Sequence, residues 1–230
     1  MNSSPTVKIN AAMTIDGKIA TRSGDSKISS RHDLNRVHEL RSSVDAIMVG
    51  ISTVLVDDPL LSVRLPKRLG VDPVRIIIDS TARIPLTSRI LSSAQNRFTI
   101  VAVTNRAPAN RIKKIQQCGA MVIVAGSRVV DLKNLLSTVR NIGIHTVLVE
   151  GGGELNWSLV RQGLASELIV TIAPLVAGGR TATTLVEGEG YRQIRKAAKM
   201  NLTNLTSQRN GEVVLYYRLR PSAHKSSILR

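Results

Sequence analysis

Apolar residues in this chain gather into short continuous runs, and the stretches between the runs carry a helical period. Residues 7–13, 45–50, 74–79, 98–103, 121–125, 147–149 and 168–173 read as strands, with a late one at 212–219 that holds Tyr216 and Tyr217. Residues 30–44 open on a capping serine, Ser30, and place Leu34, Val37, Leu40 and Val44 at helical intervals, which predicts a helix. Residues 110–118 and 131–141 predict two more, and residues 52–57 one or two helical turns before Asp58-Pro59 stops them. Continuous apolar strands separated by helices define an α/β fold with a mainly parallel central sheet and helices on both faces. No repeat, low-complexity tract or boundary interrupts the pattern, so the expectation is one domain over residues 1–230, with a core at about 7–219 and a basic tail at 220–230. The longest apolar run, residues 168–177, is broken by Thr171 and Pro174 and is too short to cross a bilayer.

One junction stands out in this alternation. Val147-Leu148-Val149 ends a strand, Glu150 follows, then Gly151, Gly152 and Gly153, then a run with Leu155, Leu159 and Val160 at helical spacing, stopped by Gly163. A strand passing through glycines into a helix gathers free N–H groups and the positive end of the helix dipole at one point, which suits a phosphate. Three glycines also make a plain flexible turn, and the glycines alone leave both readings open. Gly50 repeats the arrangement: it follows a strand and precedes a helical start, with Asp57 and Asp58 near that helix's end. Ile78-Asp79-Ser80-Thr81-Ala82-Arg83 ends a strand in hydroxyls and an arginine, a combination that holds a phosphate monoester or simply makes a polar turn. These points all fall at strand ends, where ligands bind in open α/β sheets.

Composition changes the picture in two places. Aromatic residues are only 2% of the chain, so the core must be aliphatic, and the single cysteine, Cys118, excludes an internal disulfide and a multi-cysteine metal site. A reducing, cytoplasmic location fits that cysteine use. The net charge of +16 attracts anions, whether nucleic acid, acidic membrane or phosphorylated small molecules. Arg192, Arg195, Lys196 and Lys199 would form a basic stripe on a helix, and the tail adds Arg218, Arg220, Lys225 and Arg230. Without zinc-finger spacing or an aromatic RNA-binding signature, a solvated basic face is favoured over a nucleic-acid surface.

Taken in order, the motifs resemble the pyrimidine reductases of riboflavin biosynthesis. The resemblance covers about residues 7–219 and rests on six motifs. These are Thr14-Ile15-Asp16-Gly17-Lys18-Ile19-Ala20, Ser23-Gly24-Asp25-Ser26, the stretch from Val54 to Leu61, Ile78-Asp79-Ser80, Val149-Glu150-Gly151-Gly152, and Ile172-Ala173-Pro174 followed by Gly178-Gly179. It implies a dihydrofolate-reductase-like fold, NADPH as cofactor, no metal, and a homodimer. It implies cofactor contacts at Ala12, Thr53, Asp57, Ser80, Gly151, Gly152, Gly153, Glu154 and Leu155. It implies substrate contacts at Ser26, Arg41, Leu61, Arg64 and Glu150, with Glu150 also the candidate catalytic residue, either protonating near the reacting carbon or only holding the pyrimidine. Arg41 and Arg64 suit the 5′-phosphate of a ribosylated pyrimidine, because a guanidinium pairs with phosphate bidentately. Bacterial bifunctional relatives carry a zinc deaminase whose signature needs paired cysteines. With Cys118 alone, the resemblance is to the free-standing reductases, which act before deamination. The implied substrate is 2,5-diamino-6-ribosylamino-4(3H)-pyrimidinone 5′-phosphate, reduced at ribose C1′. A reductase acting on the deaminated uracil analogue or a pterin-like compound, and a non-enzymatic nucleic-acid binder, are the competing readings.

Overall fold

The computed structural model describes residues 4–65 and 72–220. The expected basic tail lies outside the described residues from position 221 onward. In chain order the elements are β1 (Thr6–Thr14), α1 (Arg31–Ser42), β2 (Ala46–Gly50), α2 (Ile51–Asp57), β3 (Val74–Ile78), α3 (Arg89–Ser92), β4 (Thr99–Val103) and α4 (Ala109–Gln117). They continue with β5 (Met121–Val124), α5 (Leu132–Asn141), β6 (Thr146–Val149), α6 (Gly153–Arg161), β7 (Glu167–Ala173), β8 (Met200–Ser207) and β9 (Val213–Leu219). Among the described residues the chain forms two compact units, one from 4–6, 29–65 and 72–152, the other from 7–28 and 153–220.

The first unit is a parallel sheet in the order β5-β4-β3-β2-β6. Its strands are continuous apolar runs because both faces are covered: all five residues of β4 are buried, as are the first four of β2. Ile47, Val49, Ile77, Val101 and Val103 form the centre of this core, and Leu61 and Ile84 from the connecting loops pack into it. α1 begins where the sequence places it, with Ser30 accepting the Asp33 N–H through its side chain, and α5 is capped in the same way by Asp131. The buried Arg75 in β3 is satisfied by the hydroxyls of Thr99 and Ser93 and the carbonyl of Arg97. Burial pulls its pKa down to about 10, which still leaves it charged at neutral pH.

In the second unit β1 and β7 are parallel, β7 and β9 antiparallel, and β8 pairs antiparallel with β9 through an irregularity between Leu202 and Asn204. The pattern of apolar positions misses β8. Its sequence alternates leucine with asparagine and threonine, it is exposed along most of its length, and only pairing with β9 holds it extended. The expected basic stripe at 192–199 is corrected as well. The segment contains a single 3-10 turn, Ile194–Lys196, between extended residues Gln193 and Ala197. Its one large apolar side chain, Ile194, is 91% exposed, so no apolar face exists to dock a longer helix.

Candidate active site

In the first unit the C-terminal ends of β2, β3 and β6 lie along one edge of a parallel sheet and deliver Gly50, Asp79-Ser80 and Glu150 there. The Glu150 N–H reaches the Met48 carbonyl at 3.0 Å, and the Gly50 N–H reaches the Gly151 carbonyl at 2.9 Å, so the glycine turn is tied to the start of α2. Gly50 caps α2 without a side-chain hydrogen bond, so no cap side chain covers that helix's first N–H groups. Thr53 then faces the turn: a Cβ built on Gly151 or Gly152 would meet only its hydroxyl, at 3.8 and 3.7 Å. Gly151 needs its missing side chain for its backbone, with φ of +101°, and the Gly151–Gly152 peptide is cis. Asp57 closes α2, and Ser80 is pinned through its carbonyl, which accepts from both the N–H and the hydroxyl of Thr104.

Beside the turn sits a charged cluster. Arg41, in the last turn of α1, donates from Nε to Glu150 Oε1 at 2.8 Å and from Nη2 to Oε2 at 2.7 Å. Its Nη1 donates to the Ser62 carbonyl at 3.0 Å. One turn earlier on the same helix, the buried His38 accepts the Arg64 N–H on Nδ1 at 3.3 Å. α1 therefore holds the segment from Leu61 to Arg64 at two points, with Leu61 buried at φ of +50° and Arg64 leaving an exposed side chain. Of the expected substrate residues, Arg41, Leu61, Arg64 and Glu150 come together here, and of the expected cofactor residues, Thr53, Gly151 and Gly152 do. The guanidinium of Arg41 is spent on Glu150 and Ser62, whereas the Arg64 side chain is exposed and has no ion pair among the described residues.

His38 and Ser62 escaped the reading of the sequence. The signal for His38 was its position three residues before Arg41 on one helical face. Burial, with the Arg41 and Arg64 charges, holds the pKa of His38 below its ordinary 6.5, against the opposing pull of Glu150. A folded-state pKa below the unfolded one means that the unfolded chain takes up the proton first. The stabilising contribution is thus present above about pH 6.5 and is lost as pH falls through the lower folded value. Thermal melts are expected to lose stability from pH 7 to 5 in the wild type, with a shallower loss in His38→Gln; identical slopes would show that His38 does not carry this effect.

The second unit holds the remaining expected residues. Ala12 lies in β1 opposite Thr171 of β7, and Ser26 in the loop after β1. Gly153, Glu154 and Leu155 start α6. Gly153 is fixed by packing: a Cβ there would come within 2.6 Å of Glu187 Cγ and 2.7 Å of the Thr184 carbonyl oxygen. Among the described residues no group of three or more His, Cys, Asp or Glu side chains is arranged to hold a metal ion, and no helix is long and apolar enough to cross a membrane.

A parallel sheet whose strand ends meet at a glycine turn, beside a clamped carboxylate, forms a candidate ligand site where α/β enzymes with open sheets bind their ligands. The solved structures of similar fold narrow this class. RibD from Acinetobacter baumannii matches with a TM-score of 0.81 and 25% identity over 95% of this chain, which spans 59% of that protein's length. Dihydrofolate reductase from Enterococcus faecalis matches in fold, with a TM-score of 0.50 at 13% identity over 94% of this chain and 97% of that one. In sequence, the chain is 48% identical over 199 residues to the 2,5-diamino-6-ribosylamino-4(3H)-pyrimidinone 5′-phosphate reductase of Methanothermobacter thermautotrophicus, covering 86% of this chain and 91% of that one. Residues 5–216 match the family described as the RibD C-terminal domain, and the chain belongs to that family.

Proposed function

We propose that this chain acts as a single reductase domain that uses NADPH to reduce the ribosylamino group of 2,5-diamino-6-ribosylamino-4(3H)-pyrimidinone 5′-phosphate to a ribitylamino group in riboflavin biosynthesis. The observation that carries the reading is the Arg41-clamped Glu150 directly preceding a glycine turn that faces Thr53. The turn fits a nicotinamide dinucleotide: at Gly152 the protein leaves the space of a side chain empty, so backbone N–H groups are open to a phosphate. When bound, that cofactor supplies the hydride.

The ribosylamine ring opens as the C1′–O4′ bond breaks, O4′ gains a proton, and nitrogen loses one to form a C1′=N imine. Addition of hydride at C1′ and of a proton at nitrogen completes the reduction. The protein supplies position. Each oxygen of Glu150 accepts one N–H from Arg41 and retains capacity for a substrate N–H, so the geometry supports Glu150 as the group that holds the pyrimidine. The backbone of Arg64, held by His38, and its exposed side chain support a charge-assisted contact from Arg64 to the 5′-phosphate. Ser80, Thr81 and Arg83 offer hydroxyls and a cation to the 2′-phosphate that distinguishes NADPH; the Arg83 side chain is 56% exposed, 3.9 Å from Asp79.

The expected result is NADPH oxidation with the aminopyrimidinone phosphate, and kcat/KM at least about tenfold lower with NADH, since one charge-assisted contact contributes about 1.5–3 kcal/mol. Preference for the deaminated uracil compound would move the chain to the competing substrate, and no oxidation with either pyrimidine would overturn the reading. We place the enzyme in the cytoplasm as a homodimer. The exposed β8, with Leu202 and Leu205 each 52% accessible, is an open sheet edge that a second copy would cover. A monomer mass by light scattering would remove the dimer.

A further inference from the structure

The loop after β1 and the loop after β7, both in the second unit, are bound together by a set of contacts that the proposed reaction does not require. Asp16 is exposed, yet its carboxylate is fully committed. Oδ1 accepts the Thr14 hydroxyl at 2.6 Å and the Ala177 N–H at 3.0 Å, and Oδ2 accepts the Gly178 N–H at 2.7 Å. These bonds, that from Thr14 foremost, hold its pKa at about 2, so it is a carboxylate at every physiological pH. Ile15 and Ile19 donate backbone N–H groups to Leu175 and Thr183, and Leu185 donates to Gly17. Further along the first loop, residues 21–25 form a closed turn, with the Thr21 N–H on the Asp25 carbonyl, the Gly24 N–H on the Thr21 carbonyl, and the Thr21 and Ser23 hydroxyls 3.0 Å apart.

Between these walls lies a groove of about 530 Å³ lined by Thr21, Arg22, Ser23, Arg180, Thr181 and the backbone from Ala177 to Gly179. Its lining holds two guanidinium groups and three hydroxyl side chains, and no carboxylate. Arg22 and Arg180 form no ion pair among the described residues, and the N–H groups of Gly179, Arg180 and Thr181 are three consecutive donors without a protein partner there. Gly178 and Gly179 stand at φ of +63° and +88°, so this wall is bare backbone that a ligand approaches closely. A neighbouring cavity of about 540 Å³ shares Arg180 and Thr181 but adds Glu154 and Glu187, whose charges repel an anion. The difference in lining separates the two.

We propose that the groove between Arg22 and Arg180 is a binding site for a phosphoryl anion, and that Asp16 is the positioning residue that fixes its glycine wall. The chemistry is that of a phosphate monoester or free phosphate: convergent guanidinium groups give charge-assisted bonds, and hydroxyls and backbone N–H groups complete the shell. Two sources share that chemistry, the 5′-phosphate of the pyrimidine and a separate phosphorylated ligand. Only the choice between them rests on the function proposed above.

The test is titration calorimetry of the full chain with inorganic phosphate, which reads binding whether or not the chain reduces a pyrimidine. The variants are Arg22→Gln/Arg180→Gln, a control pair Lys133→Gln/Arg209→Gln that removes the same charge elsewhere, and Asp16→Asn. The expected result is affinity lowered by about tenfold or more in the first pair and unchanged in the control. Asp16→Asn is expected to weaken phosphate binding by a few fold and to speed hydrogen exchange at the Gly178 amide, because an amide oxygen replaces only one of its two acceptors. Wild-type affinity in the first pair, or equal losses in both pairs, overturns the site. A rise in KM for the pyrimidine in the first pair, with phosphate competing against it, assigns the substrate's own phosphate to this groove in place of Arg64. Phosphate still binding to the substrate-saturated enzyme assigns a separate ligand.

Discussion

Arg41→Ala is expected to raise KM for the pyrimidine and to lower folding stability together. Both side chains of the Arg41–Glu150 pair are largely buried, at 14% and 11% exposure, and both carboxylate oxygens depend on one guanidinium. Removing one partner of a buried pair leaves the other desolvated and unpaired, which costs about 3–5 kcal/mol at full burial. For a pair with this residual exposure, about 2–3 kcal/mol is expected. The same substitution frees the Ser62 carbonyl and loosens the segment that carries Leu61 and Arg64, so the loss extends beyond Glu150. Arg41→Lys tests the geometry. A lysine restores the charge as a single point and cannot bridge Oε1, Oε2 and Ser62 at once, so it should recover part of the stability and little of the KM. Glu150→Gln keeps the shape and removes the charge, and should raise KM with a smaller stability change. Urea midpoints and KM values for the three variants decide the matter. If Arg41→Ala keeps both at wild-type values, the clamp does not organise the site.

That clamp also marks the limit of what the chain's pattern reveals. Strands such as β2 and β4 were legible because a parallel strand buried on both faces must be apolar throughout. α1 and α5 were legible because their caps, Ser30 and Asp131, are local in sequence. The glycine turn was legible because it is a backbone feature, and backbone needs are written in glycine. β8 was not, because an exposed edge strand has no inward face to impose a period, and its stability comes from a partner strand. Arg75 was not, because its tolerance for burial comes from Ser93, Arg97 and Thr99, up to 24 residues away. Resemblance put Arg41 and Glu150 in one site, but they stand 109 positions apart and nothing in the intervening sequence signals that they bond to each other. The same holds for His38 and Arg64, whose contact runs through a backbone N–H and leaves no trace in side-chain identity.

The three adjacent glycines should respond to substitution in different ways, which gives the sharpest test of the cofactor reading. Gly153→Ala places a methyl group within 2.6 Å of Glu187 Cγ and 2.7 Å of the Thr184 carbonyl oxygen, so it should destabilise the protein by overpacking, about 1–3 kcal/mol. Gly152→Val meets a different environment. The position has no positive φ, and a Cβ there finds only the Thr53 hydroxyl, at an ordinary 3.7 Å. The protein itself therefore tolerates the first added atom, and the branched side chain fills the space left beside the N–H groups of the turn. Gly152→Val is expected to melt within a few degrees of wild type and to bind NADPH about ten- to a hundredfold more weakly, equivalent to about 1.4–2.8 kcal/mol. KM for the pyrimidine should change less, because Arg41, Glu150 and Arg64 keep their contacts. Fluorescence titration with NADPH beside a thermal melt reads both quantities on one preparation. Unchanged NADPH affinity in a folded Gly152→Val variant would reduce the triple glycine to a strand-to-helix turn and move the cofactor away from it.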